Sequence, residues 1–240
     1  MIGKNEKTVS LGGVSKIYKV NEHLTAGVKD ITFSAAKGEL VLLLGPSGSG
    51  KTTLLSLIAG LIEPSEGKVI LFRREVNSYS KTELQKLRAE KIGFIFQTFL
   101  LIDSLTALEN VKLLLKFAGK TSKESETKAV ELLNYFNISC ISGKFPNALS
   151  QGEKQRVAVA RAVANDADLI LADEPTASLE VKQGFEIIEM LNNYAKEKNK
   201  SVIVASHDLR LKDYADKIIY MEDGRITQEE SIDENIEDRS

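Results

Sequence analysis

The chain has 240 residues, of which 42% are hydrophobic and 28% charged, and its formal net charge is −2. That length holds one core with a smaller attached unit, and the composition is that of a globular domain rather than a disordered or membrane-embedded one. The near-neutral balance gives no general electrostatic reason to bind nucleic acid or an anionic membrane, and no nucleic-acid partner is expected.

Residues 1–10 carry lysines but no apolar stretch of signal-peptide length, so no export signal is expected. Residues 8–20, 31–33 and 68–72 predict a small antiparallel sheet. Leu40–Leu44 reads as a buried strand, and Gly45-Pro46-Ser47-Gly48-Ser49-Gly50-Lys51-Thr52 follows it directly. Behind this loop residues 51–61 predict an apolar helix, and 63–67 a turn. Strand, glycine-rich loop and helix together make a P-loop. Its glycines let backbone N–H groups curl around phosphate oxygens while the helix aims its positive dipole end at the same charge. Lys51 supplies a cation to the β and γ phosphates, and Thr52 a hydroxyl to Mg²⁺, which prefers oxygen ligands. The expected ligand is ATP with Mg²⁺.

Residues 92–96 predict a second buried strand, and about 101–164 an inserted helical subdomain. Cys140 lies there, the lone cysteine; it cannot form an internal disulfide, suits a reducing compartment and reads as a small, partly buried side chain. A helix is expected over 150–163 and a strand over 169–171, the latter running into Ala172, Asp173 and Glu174. Asp173 at such a strand end can hold Mg²⁺ through its water shell, and Glu174 can polarise an attacking water. Acids in this position also cap helices, a reading the two residues alone leave open. A helix over 183–194 and a strand over 202–205 follow, then His207. After Ile226 the chain turns acidic, with Glu229, Glu230, Asp233, Glu234, Glu237 and Asp238 against Arg239, which predicts a solvated, flexible tail over 227–240. The longest apolar runs, 40–44 and 54–62, fall far short of the ~20 residues that cross a bilayer, so work at a membrane would need a partner. Alternating strands and helices predict an α/β fold with a largely parallel sheet, whose ligands collect at the carboxyl ends of the strands.

Residues 149–156, Leu-Ser-Gln-Gly-Glu-Lys-Gln-Arg, resemble the signature of the ABC ATPases, usually Leu-Ser-Gly-Gly-Gln, and the likeness extends from Tyr18 to about Ile226. It implies a P-loop NTPase core with a small antiparallel β subdomain and the inserted helices, all one domain over 1–226. It implies that Tyr18 stacks on adenine, that Thr53 joins residues 45–52 in holding the nucleotide, and that Gln97 senses Mg²⁺ and faces a membrane partner. Glu174 then acts as general base, Asp173 on Mg²⁺, and His207 on the γ-phosphate; a capping or packing role for His207 stays open. Ser150 and Gly152 match the signature residues that grip a nucleotide across a head-to-tail homodimer. Gln151, Glu153 and Glu180 depart from the family pattern, Glu180 standing where the D-loop normally has aspartate.

Residues 99–111 and 214–226 look like the corresponding stretches of ATPases in lipoprotein-release, macrolide-efflux, haem-efflux and glycolipid-export systems. The resemblance therefore implies an ATPase on the cytoplasmic face of the membrane. There it would drive a separate transmembrane permease that exports or extracts amphipathic or lipid-like cargo. Two alternatives remain at this stage. A non-transport ABC ATPase of DNA repair or translation would carry long insertions or a second ATPase half, for which this length has no room. An ATP-binding regulatory module is opposed by Asp173, Glu174 and His207 and kept open by Glu153 and Glu180.

Overall fold

A computed structural model of the chain describes residues 6–20 and 23–232. Two long strands open it, β1 (Lys7–Val20) and β2 (His23–Ala36), followed by β3 (Leu40–Leu44) and α1 (Lys51–Ile58). Next come β4 (Glu66–Leu71), the short β5 (Arg74–Glu75), α2 (Lys81–Lys91) and β6 (Ile92–Ile95). The helical stretch holds α3 (Ala107–Phe117), α4 (Ser122–Tyr135) and α5 (Gln151–Ala162). The chain then runs through β7 (Leu169–Asp173), α6 (Val181–Lys198), β8 (Ser201–Ser206), β9 (Lys217–Glu222) and β10 (Arg225–Ser231).

The described strands form two sheets: an antiparallel one in the order β2-β1-β4-β5 and a six-stranded one in the order β10-β9-β3-β8-β7-β6. The larger is parallel except where β10 returns against β9. Both its faces are covered, which is why β3 reads as an unbroken apolar run. Leu40, Leu42 and Leu44 point into one core with α5, α6 and the helices before them. Val41 and Leu43 point into the other, with α1 and the antiparallel sheet. The expected α/β architecture is present, and the parallel strands β3, β6, β7, β8 and β9 all end toward the same edge.

At the opposite edge Lys200, just ahead of β8, is 7% exposed and donates to Asp168 Oδ1 at 2.9 Å and to the Asp166 carbonyl at 3.0 Å. Lys91 donates to the other Asp168 oxygen at 2.8 Å. Burial works against charge on Asp168, but these two ammonium groups outweigh it and hold the carboxyl below its usual range.

Several local expectations are corrected. The helix expected to reach residue 61 stops at Ile58, because Gly60 takes a left-handed φ of 61° and a Cβ there would press on Leu84 at 2.6 Å. Cys140 is exposed rather than partly buried. The flexible tail does not begin at 227: β10 runs to Ser231. Its acids find partners across the strand pair, with Lys217 Nζ 3.6 Å from Glu229 and the Tyr220 hydroxyl donating to Glu230 at 3.1 Å. Residues 233–240, with Asp233, Glu234, Glu237, Asp238 and Arg239, lie outside the described residues.

Candidate active site

β3 delivers Gly45 to the carboxyl edge of the sheet, and the loop to Gly50 turns the chain into α1. The turn needs glycine at two places. A Cβ on Gly45 would stand 2.1 Å from the Met221 carbonyl oxygen, and Gly50, at φ 98°, would press one to 2.4 Å from the Gly27 carbonyl. Lys51 is 5% exposed and its ammonium is folded back on the loop, donating to the carbonyls of Gly45 at 2.8 Å and Pro46 at 3.0 Å. The Ser49 hydroxyl is buried with no hydrogen-bond partner among the described residues. A buried orphan hydroxyl, a helix N-terminus with free N–H groups and a lysine together suit a polyanion.

Beside the loop, β7 brings up two carboxylates. Thr52 donates its hydroxyl to Asp173 Oδ1 at 3.2 Å. Burial pushes the Asp173 carboxyl up, with the Thr52 hydrogen bond acting against it. A desolvated carboxylate next to a hydroxyl is a donor set for a hard cation such as Mg²⁺. Glu174 follows with φ 49°, a left-handed conformation that costs a non-glycine residue energy. Its N–H donates to Ala205 at 2.9 Å, which ties the turn to β8. Its side chain meets two sequence-predicted partners: Oε1 is 3.6 Å from Lys51 Nζ and Oε2 is 3.0 Å from His207 Nδ1.

Lys51, Thr52, Asp173, Glu174 and His207 are therefore one constellation built from the carboxyl ends of β3, β7 and β8. Tyr18 reaches it through Gly27, where an added Cβ would meet the tyrosine ring at 2.6 Å and the Thr53 methyl at 3.0 Å. The Tyr18 side chain is 37% exposed, open to a flat ring stacking on it. Gln97 follows β6 but is exposed and makes no hydrogen bond among the described residues. Ser150 and Gly152 are not brought to this site. They start α5 and line a separate hollow with Gln183 and Glu186 of α6.

Three features escaped the sequence reading. Glu153, a departure from the family glutamine, closes a capping box: Ser150 N–H donates to its carboxylate at 2.7 Å, and Glu153 N–H to the Ser150 hydroxyl at 3.2 Å. The Ser-x-x-Glu spacing was a legible signal for it. Asn110, fully buried on α3, satisfies the backbone of Ile102, Leu105 and Thr106. Arg161 of α5 donates to the carbonyls of Phe99 and Leu100, a contact no local pattern announces.

The family model described as ABC transporter matches residues 28–177. An ABC transporter ATP-binding protein of Methanocaldococcus jannaschii, MJ0796, is 40% identical over 228 residues, covering 93% of this chain and 97% of that protein. The lipoprotein-releasing system ATP-binding protein LolD of Pseudoalteromonas translucida is 36% identical, over 95% of this chain and 98% of its own length. A solved dimer of MJ0796 in a post-hydrolysis state, bound to ADP and Pi, matches with a TM-score of 0.86 over 94% of this chain and 99% of that one.

Proposed function

The chain belongs to the ABC transporter ATP-binding family, and from that membership we propose that it is a motor subunit that closes head to tail with a second copy around ATP and drives a separate membrane-spanning subunit. It is an ATPase, like the cassettes it resembles. The observation that carries the mechanism is the Glu174 carboxylate poised between Lys51 and His207 beside the P-loop. None of the described helices is long and apolar enough to cross a membrane; family membership supports giving the membrane passage to the partner and placing this chain at its cytoplasmic face. The similarity to LolD supports lipid-like cargo.

In this reading Lys51 leaves the carbonyls of Gly45 and Pro46 for the β and γ phosphates, which neutralise the ammonium better than two neutral acceptors. That exchange also releases Glu174 from its contact with the lysine. The freed carboxylate orients water for attack on the γ-phosphorus and takes up its proton. His207 holds Glu174 in place and contacts the phosphate being transferred. Tyr18 stacks on the adenine. Thr52 and Asp173 would hold Mg²⁺, with Gln97 joining from its loop; when bound, the ion offsets charge on the phosphates. Ser150 and Gly152 sit away from their own P-loop, as a head-to-tail partner requires, and reach the nucleotide of the second copy through the N-terminus of α5.

The reading is tested on the Glu174→Gln chain, in which hydrolysis is blocked. Sedimentation should show monomer without nucleotide and dimer with Mg-ATP, and a second substitution, Ser150→Arg, should restore the monomer. A Glu174→Gln chain that stays monomeric in saturating Mg-ATP would overturn the head-to-tail arrangement.

A further inference from the structure

Arg161 sits near the end of α5, about 16 Å along the helix from Ser150 at 1.5 Å per residue. Its guanidinium is partly buried, and burial depresses its pKa. Yet among the described residues no carboxylate pairs with it. Its hydrogen bonds go to two consecutive backbone carbonyls instead: Nη2 donates to Phe99 at 2.7 Å, and Nη1 to Leu100. Those two residues are unusual in turn, because Phe99 has φ 59° and Leu100 φ 49°, two successive non-glycine residues in the left-handed region. A pair of this kind persists only where its surroundings impose it. Side-chain packing does not impose it at Leu100, whose side chain is 53% exposed. The local hydrogen bonds, Phe99 N–H to the Phe96 carbonyl at 3.2 Å and Leu100 N–H to the Thr98 carbonyl at 2.6 Å, tighten the turn without fixing it to the rest of the protein. The planar fork of an arginine matches two adjacent carbonyls in a way that a lysine's single ammonium does not. Two residues upstream of the clamped pair stands Gln97.

We propose that Arg161 is a positioning residue for ATP hydrolysis: its guanidinium clamps the carbonyls of Phe99 and Leu100 and thereby sets where Gln97 stands relative to the nucleotide site. This rests on the role given to Gln97 above. The clamp costs a partly buried charge, and what it yields is the conformation of an otherwise exposed loop. Because Arg161 and Ser150 share one helix, the loop that carries Gln97 is referred to the same rigid body that grips the nucleotide of the second copy.

The full chain carrying Arg161→Lys keeps the charge and the length but loses the fork. It should lower kcat about tenfold while KM for ATP stays within about twofold, the scale of a misplaced group near the reacting centre. Hydrogen–deuterium exchange should quicken at the amides of residues 97–101 and stay unchanged along α5, a local readout that general destabilisation would not give. Combined with Gln97→Ala, the lysine variant should cause no loss beyond that of Gln97→Ala alone. Leu100→Pro tests the clamped conformation from the exposed side, since proline fixes φ near −65° and removes the N–H that bonds to Thr98; it should reproduce the kcat loss with at most a small drop in melting temperature, and it serves alone if Arg161→Lys does not fold. Unaltered loop exchange in Arg161→Lys, full kcat in Leu100→Pro, or multiplicative losses in the double variant would each overturn the proposal while leaving Gln97 in its role. Full activity of Gln97→Ala would instead remove the role of Gln97, and the proposal with it.

Discussion

In the proposed mechanism the chemistry turns on Glu174, and its surroundings say what its loss should do. It touches Lys51 with one oxygen and His207 with the other, while its own backbone is held left-handed by Ala205. Glu174→Gln keeps the shape and removes the base, so phosphate release should fall by on the order of a hundredfold or more. Nucleotide affinity should persist, as read by titration with a fluorescent ATP analogue. Lys51→Ala should do the reverse first, weakening nucleotide binding by about tenfold or more, because a charge-assisted contact to phosphate is lost; unchanged affinity would refute its assignment. The residue types of this constellation were legible from the loop pattern and from the acids ending an apolar run. The left-handed turn at Glu174 was not, since it is tied by a hydrogen bond from its own N–H to Ala205, on a strand far along the chain. Nor did the sequence reveal that the Lys51 ammonium rests on the carbonyls of Gly45 and Pro46.

At the scale of the element, α5 shows how a departure from a family pattern can be structurally sound. Glu153 replaces the usual glutamine and forms a reciprocal cap with Ser150, whose N–H holds the carboxyl below its usual range. Both side chains can accept that N–H, so Glu153→Gln should shift stability by only a few tenths of a kcal/mol. Ser150→Ala removes the capping oxygen and should cost about 1 kcal/mol. Urea unfolding of the two variants beside the wild type measures the difference, and equal losses would show that the box is not what steadies this helix end. The same cap leaves the hydroxyl proton of Ser150 unused, available to a phosphate. Of the helices with such start signals, α5 was placed from the sequence, whereas α2, capped in the same way by Ser80 and Glu83, was not. The tail strand β10 was missed, because alternate acids beyond Ile226 read as solvated chain until Lys217 and Tyr220 of β9 are set beside them.

Across the whole molecule, the parallel sheet separates two charged ends: the active site at one edge and the pairing of Lys200, Lys91 and Asp168 at the other. Asp168→Asn takes a charged partner from Lys91 and from Lys200, which keeps the Asp166 carboxylate 3.2 Å away, and should destabilise the fold by about 1–2 kcal/mol, read as a lower urea midpoint at pH 7. The Asp168 carboxyl is depressed in the folded state, so its contribution is fully present above the unfolded pKa of about 3.9. It fades as pH falls through the lower folded value. The gap between wild type and Asp168→Asn should therefore close as pH falls below about 4, and a gap that widens there would show that the sign is wrong. The α/β class and the strand-edge site were readable because buried parallel strands announce themselves as apolar runs; the lock at the other edge was not, being made of ordinary surface residue types that the fold happens to bury. The P-loop, finally, is fastened by what comes last: Gly45 N–H donates to Ser206 at 3.2 Å, Gly224 N–H to Ser49 at 3.2 Å, and Gly45 lies under Met221. A piece of the gene encoding only the recognisable stretch, residues 28–177, would thus spell every letter of the phosphate loop and still produce no pocket, because the last strands are the mould in which that loop is cast.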